Sequence, residues 1–462
     1  MNLREKMLKG GAYLIVRQGF GLIVGFIGVL LITRAIGPGN YGIYTTAYGI
    51  VVYLSNLASL GAHVYLIRRE SEPDINVYHQ AFTLMFLTGC IGLVLGLATI
   101  PIFEWWLQNR VFIPPLITML LAIPLITLAG PAMARLERDL NYRPISIIEL
   151  TGQIINYVIA ILLAYHGKGV WAPVTGYLAW QVFNLLATCI VTRLLPRPTW
   201  SWSLVKEIVG YGAGYSVSMW VWQLRSLVNP LIVGRFAGPV AVGNIALAIR
   251  LVEALNFVKT ATWRLSIAGF AKLQRDYLRL KRALENAMLF QVLAVGPLFV
   301  FFAYTARWII PFVFGDRWTG VLSIYPFIAL GYLFNAMFSM HSSVLFVLGR
   351  TWGVTSFHMV HILIFVGSAL FLLPHLGLIG YGLAEVFALL SYLVIHLNLV
   401  GLFRPHYTDA VLWFLAFSVP LGATYVNLPY TILLLIPLCV VVLMKGPRQK
   451  VLEYIKFARM GG

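Results

Sequence analysis

The sequence predicts an all-α polytopic membrane protein with about 14 transmembrane helices. These form two six-helix lobes related by a parallel pseudo-two-fold, followed by two C-terminal helices. Three observations carry this expectation. The 462 residues are 60% hydrophobic and 11% charged, a surface that water would not solvate. Apolar runs of about 20 residues, the length that crosses a bilayer, recur along the whole chain. One turn motif appears twice at an offset of 201 residues. Little is left for a soluble domain, and the composition excludes a secreted disulfide scaffold or a disordered tail.

The elements follow in chain order. The start, MNLREKMLKGG, is basic, and the apolar run behind it is about 25 residues long without a small-residue cleavage pattern, so it reads as a retained first span rather than a signal peptide. Apolar runs then fall at 11–35, 41–66, 79–103, 111–134, 145–165, 170–193, 209–235, 240–264, 284–306, 321–348, 353–373, 379–402, 409–427 and 430–444. The last two are separated only by Asn427-Leu428-Pro429. The expected division is an N-terminal lobe at 1–206 (spans one to six), a C-terminal lobe at 207–404 (spans seven to twelve), and 405–462 for spans thirteen and fourteen with a cytoplasmic tail. In that tail Val451, Leu452, Ile455 and Ala458 share a helical face, with Lys450, Lys456 and Arg459 elsewhere, the pattern of an amphipathic helix on anionic lipid. Trp200 and Trp202 beside Lys206 read as a second interfacial anchor. Cys90, Cys189 and Cys439 lie in apolar runs without metal or redox spacing. No metal site or cofactor is expected.

Orientation follows from the basic residues of the short loops. Twenty-four lie on the side of the N-terminus, from Arg4, Lys6 and Lys9 to Lys456 and Arg459, against six on the other: Arg34, Arg110, Lys168, Arg235, Arg307 and Arg317. Both termini are therefore expected in the cytoplasm. The net charge of +18 is mostly topology, and no nucleic-acid partner is needed to explain it. The repeated motif is R-x-x-G-P-x-x-x-G, at Arg34–Gly42 and Arg235–Gly243. A second echo sets Gly167-x-x-x-Trp171 before span six and Gly377-x-x-x-Tyr381 before span twelve. An offset of six spans preserves orientation, hence parallel repeats. The Gly-Pro motif itself reads as a tight helix turn.

Four basic residues remain inside spans: Arg17, Arg225, Arg250 and Lys259. Charge at mid-bilayer costs on the order of 3 kcal/mol or more, so it should face a wet cavity or a partner. At 1.5 Å per residue, Arg225 and Arg250 fall within about 5 Å of their span centres, whereas Arg17 and Lys259 lie roughly 9–10 Å toward the cytoplasm, within reach of head groups by snorkelling. In span eight Arg250, Glu253, Phe257, Thr260 and Arg264 share one face, and Arg250 with Glu253 is also a candidate structural pair. Polar stripes recur at Glu149, Gln153 and Asn156, at Gln181 and Asn184, and at Asn335, Ser339 and Ser342; each reads either as interhelical hydrogen bonding or as the wall of an aqueous interior. His341, His358 and His361 are titratable, and Glu385 is a proton site, a cation site or the partner of an arginine. The candidate substrate contacts are Arg225, Arg250, Arg17, Lys259 and Arg264. Glu253, Glu149 and Glu385 are candidates for coupling or structural pairing.

The chain has no phosphate-binding P-loop lysine, and no large loop carries paired carboxylates or a His/Asp set. Transport is expected, not enzymatic catalysis. Arginines near the middle of spans suit phosphate because the planar guanidinium grips two oxygens at once. An amphiphile with an anionic head fits best.

The stretch Leu31-Ile-Thr-Arg34-Ala-Ile-Gly-Pro-Gly-Asn-Tyr41-Gly-Ile-Tyr44, with Leu57-Ala-Ser-Leu-Gly61, Ile67-Arg68-Arg69, Phe314-Gly315-Asp316-Arg317-Trp318 and Gly349-Arg350, resembles polysaccharide transport proteins and O-antigen flippases of the multidrug/oligosaccharidyl-lipid/polysaccharide exporter superfamily. The resemblance runs along most of the chain. It implies two helical lobes working by alternating access in the bacterial cytoplasmic membrane, with a polyprenyl-diphosphate-linked oligosaccharide as cargo, carried for cell-surface polysaccharide synthesis. A monomer, with a glycan polymerase and glycosyltransferases as partners, belongs to the same expectation, while the central cationic cavity follows from the basic residues inside the spans. It brings no short motif that assigns site residues. Competing readings are a lipid II-type flippase, a drug/cation antiporter of the same superfamily, against which Arg17 in an acid-free first span argues, and a non-transporting scaffold for glycosyltransferases.

Overall fold

The computed structural model describes residues 3–69, 73–257, 259, 266 and 269–450. Every regular element among them is helical. The chain divides into two compact units, Met1–Gly243 and Asn244–Gly462.

In unit 1, α1 (Leu3–Ser59) is two helices broken at Gly37, whose φ of 74° and ψ of 171° lie outside helical space. Pro38 follows, and a residue without an N–H is best placed in a first turn, so the Gly-Pro pair ends one helix and begins the next. A second break falls at Leu60 and Gly61, with φ 45° and 69°, before α2 (Ala62–Arg68). Asp74 accepts a hydrogen bond from the Ile75 N–H at 2.7 Å and caps α3 (Ile75–Ala98). Then come α4 (Ile100–Leu107), α5 (Ile113–Leu120), α6 (Ala122–Arg138), α7 (Tyr142–Tyr165), α8 (Trp171–Thr192) and α9 (Trp202–Leu224). The closest packing joins α7 to α8 and α1, and α3 to α6. Past Leu224 the helix tightens over Arg225–Leu227 and widens into a π-turn over Val228–Val233, where Pro230 has no N–H for a regular ladder.

The two copies of the Gly-Pro motif meet inside this unit. A Cβ on Gly42 would stand 1.8 Å from the Pro239 carbonyl oxygen, and one on Gly243 2.1 Å from that of Pro38. Each glycine thus gives room to the backbone of the other turn. Gly37 and Gly238 adopt the same left-handed φ, 74° and 77°, and so do the glycines of the second echo, Gly167 at 74° and Gly377 at 55°.

Helix α10 (Gly238–Leu255) carries the chain into unit 2. There Asp276 accepts from the Leu278 and Arg279 N–H groups at 3.1 and 3.0 Å and caps α11 (Tyr277–Ile309). It is followed by α12 (Gly320–Val347), α13 (Thr351–Ala388, broken at Gly377), α14 (Tyr392–Val400), α15 (Thr408–Ser418) and α16 (Ile436–Leu443). Helix α11 packs against α12 and α15, and α12 against α13. The Arg307 guanidinium donates to the Ala423 and Val426 carbonyls, closing the end of the 3-10 turn at Val419–Tyr425.

Nine helical stretches among the described residues are long and apolar enough to cross a membrane. Arg17–Ser59 and Thr351–Val400 each hold two of the predicted spans, on either side of Gly37 and Gly377. The all-helical, multi-pass expectation holds. Rows of exposed Phe86, Leu87, Ile91, Val94 and Leu95 on α3 make the apolar outside that lipid requires. The predicted tail residues Val451, Leu452, Ile455, Lys456, Ala458 and Arg459 lie outside the described residues, as do Thr260 and Arg264. Lys450 is described and pairs with Asp409.

Candidate functional site

In unit 1 the contact of α1 with α7 brings Arg17 and Glu149 together. Glu149, Gln153 and Tyr157 follow one another at steps of four, one face of α7. Their partners climb α1 in the same order. Arg17 Nε lies 2.9 Å from Glu149 Oε2. Gln153 Nε2 donates to the Gly21 carbonyl at 2.9 Å, and the Tyr157 ring covers Gly28. The side chains of Arg17 and Glu149 are each about 30% exposed, so the pair is neither sealed in the core nor free in solvent. Arg225 stands half-buried at the step from α9 into the 3-10 turn. Four residues on, Asn229 donates to the Val242 carbonyl at 3.3 Å.

In unit 2 Arg250 and Glu253 of α10, and Lys259 beyond its end, face α12. Arg250 Nη1 reaches Glu253 Oε2 at 3.4 Å within one helical turn. Tyr332 of α12 donates to the other Glu253 oxygen at 3.3 Å. Lys259 Nζ donates to Asn335 Oδ1, and Asn335 Nδ2 in turn to the Tyr392 hydroxyl. The stripe expected at Asn335, Ser339 and Ser342 therefore begins one turn earlier, at Tyr332, a residue whose ring disguised its hydroxyl as core. Glu385 is buried and accepts from the Tyr381 hydroxyl at 3.2 Å.

His341, His361 and His396 are hydrogen-bonded, and the His358 ring lies 4.8 Å from that of Phe357. His361 Nδ1 lies 3.0 Å from Ser391 Oγ. Buried His341 lies 2.9 Å from the Tyr407 hydroxyl, and His396 approaches the same oxygen at 2.7 Å. Burial pushes the Tyr407 phenol, in the loop ahead of α15, above its ordinary range. His396 and Tyr407 went unnoticed in the sequence because each is a single polar group at the edge of an apolar run. Trp200 and Trp202 are exposed, with the Lys206 ammonium 5.9 Å from the Trp202 ring. Among the described residues no cluster of three or more metal-ligating side chains occurs.

Residues 31–323 match the family described as polysaccharide biosynthesis protein. The chain belongs to this family. Among its polysaccharide biosynthesis relatives, the lipopolysaccharide biosynthesis protein WzxC of Escherichia coli (strain K12) is 21% identical over 70% of this chain and 66% of its own length. The teichuronic acid biosynthesis protein TuaB of Bacillus subtilis (strain 168) is 22% identical over 82% of this chain and 81% of its own. Among solved structures, the lipid II flippase MurJ in an inward closed conformation superposes with a TM-score of 0.75 at 15% identity, covering 96% of this chain and 97% of that one. This likeness identifies the fold of this chain as that of a polytopic helical membrane protein.

Proposed function

We propose that this protein is a flippase that carries a polyprenyl-diphosphate-linked oligosaccharide across the bacterial cytoplasmic membrane, by alternating access, for cell-surface polysaccharide synthesis. It is a transporter and not an enzyme. Family membership and relatives named for lipopolysaccharide and teichuronic acid biosynthesis support the glycan part of this reading. The phosphate part is carried by one observation, the partly buried Arg17–Glu149 pair at 2.9 Å among apolar helices. A guanidinium held by one carboxylate oxygen can exchange it for the paired oxygens of a diphosphate, which match its planar fork and carry more charge. Arg225, Arg250, Lys259 and Arg264 supply further positive charge, with Glu253 and Glu385 as local counter-charges. The polyprenyl tail stays in lipid, glycosyltransferases supply the substrate on the cytoplasmic side, and a polymerase consumes it on the other. The protein acts as a monomer with both termini in the cytoplasm.

The test is translocation of a fluorescent lipid-linked oligosaccharide in proteoliposomes. Arg17→Ala, Arg225→Ala and Arg250→Ala are each expected to slow it about tenfold or more, as loss of a charge-assisted contact implies. Unchanged rates in all three variants would remove the cationic-site reading. A protein that serves only as a scaffold would leave the labelled lipid where it started.

A further inference from the structure

Away from the charged groups, the densest chemistry in unit 1 is aromatic. Tyr41, Tyr44 and Tyr48 follow the Gly37-Pro38 corner at steps of three and four, one face of the second half of α1. Their ring centroids are 6.2 and 5.8 Å apart in sequence. Tyr48 meets Tyr177 of α8 edge-on at 5.4 Å, and Tyr177 meets Trp180 at 6.3 Å with the planes at 89°. Tyr157 joins from α7, its ring lying over Gly28 of α1. Three helices thus bring five phenols and an indole to one place. Tyr41 and Tyr177 are sealed in the core, whereas Tyr44, Tyr48, Tyr157 and Trp180 keep part of their surface open.

Tyr44, Tyr48 and Trp180 pack against the buried cluster that includes Tyr177 and keep surface beyond it. Phenol rings there add hydroxyl groups that leucine or phenylalanine would not bring. The face is also continuous with the charged pair. Glu149 and Tyr157 are eight residues apart on the same side of α7, about 12 Å along its axis. A diphosphate followed by sugar rings has that reach.

We infer that this aromatic face is a subsite for the neutral sugar rings of the lipid-linked cargo, distinct from the groups that hold its phosphates. The inference rests on the flippase reading and adds to it. The C–H bonds on a sugar face carry partial positive charge and are attracted to the electron-rich face of an aromatic ring. A phenol both donates and accepts, as sugar hydroxyls do. None of the six side chains is charged at neutral pH. Contacts of this kind accept many sugars and are individually weak, and a transporter must release what it binds.

The experiment uses the full-length protein in proteoliposomes and two fluorescent probes: a polyprenyl diphosphate carrying a neutral hexose pentasaccharide, and the same lipid diphosphate without sugars. Tyr48→Leu and Trp180→Leu are expected to slow the glycosylated probe about tenfold, the loss of one or two aromatic contacts, and to leave the sugar-free probe unchanged. Tyr48→Phe, which keeps the ring and the fold, is expected to fall between. An equal fall for both probes, or an unchanged rate for the glycosylated one, overturns the subsite. A wild-type protein that moves neither probe overturns the flippase reading instead. Saturation transfer from the aromatic protons of the nanodisc-embedded protein to the free pentasaccharide then decides the subsite separately. Transfer that is lost in Trp180→Leu supports it, and no transfer from the wild type overturns it.

Discussion

Arg17 and Glu149 stand 132 positions apart in the chain and 2.9 Å apart in space. Removing one leaves the other as an isolated charge among apolar helices, a loss that the roughly 30% exposure of both side chains softens but does not cancel. Glu149→Gln is therefore expected to lower the thermal unfolding midpoint in detergent by a few degrees. The double change Arg17→Met with Glu149→Leu should recover more than half of that loss; a double variant less stable than Glu149→Gln would show that the pair is worth more than its replacement. Arg17→Lys keeps the charge and removes the fork, so flipping should fall about tenfold while the midpoint stays near wild type. In the sequence Arg17 stood out as a base inside a span and Glu149 as part of a polar stripe. Their pairing did not, because it depends on which faces of α1 and α7 meet. Lys259, Asn335 and Tyr392 show the same limit: the first two were visible as polar groups in apolar runs, and the tyrosine that continues their chain of hydrogen bonds was not.

At the scale of elements the glycine corners set the helix ends. A methyl group on Gly42 or Gly243 would collide with a backbone carbonyl, which cannot rotate aside as a side chain would. Gly42→Ala and Gly243→Ala should each cost stability at the upper end of the about 1–3 kcal/mol typical of overpacking, seen as a loss of monodisperse protein in size-exclusion chromatography. Gly367→Ala has open space within 4 Å in the interior of α13, where alanine is the better helix former by about 1 kcal/mol. It should match or exceed wild-type yield, and an equal loss in all three would refute the contact as the cause. The corners at Gly37 and Gly238 were legible in sequence, since a proline interrupts the helical hydrogen-bond ladder and the glycine before it lets the chain turn there. The break at Leu60 was not. A leucine at φ 45° is unfavourable by itself and persists beside a tight contact, in which a Cβ on Gly61 would stand 2.8 Å from the Gly212 backbone. The π-turn at Val228–Val233 was hidden likewise, although Pro230 marked its place.

For the whole molecule, the count of 24 basic loop residues against six predicts one orientation. In a variant whose Cys90, Cys189 and Cys439 are replaced by alanine, a membrane-impermeant maleimide added to intact cells should label Lys168→Cys and spare Ser201→Cys; the reverse pattern would invert the protein. The multi-pass helical architecture was legible because hydropathy and helix length are local properties. The partition into Met1–Gly243 and Asn244–Gly462 rests on which helices pack together, which no local pattern states. The crossing of the two Gly-Pro turns carries a consequence for biosynthesis. Its halves are 201 residues apart, so at about 5–20 residues per second the second turn leaves the ribosome roughly 10–40 s after the first. Throughout that interval the first hairpin sits in the bilayer with a glycine-lined notch and nothing in it. Nascent chains arrested before Gly238 should accordingly be sensitive to proteolysis near Gly42, and those arrested after the following span is inserted should be protected.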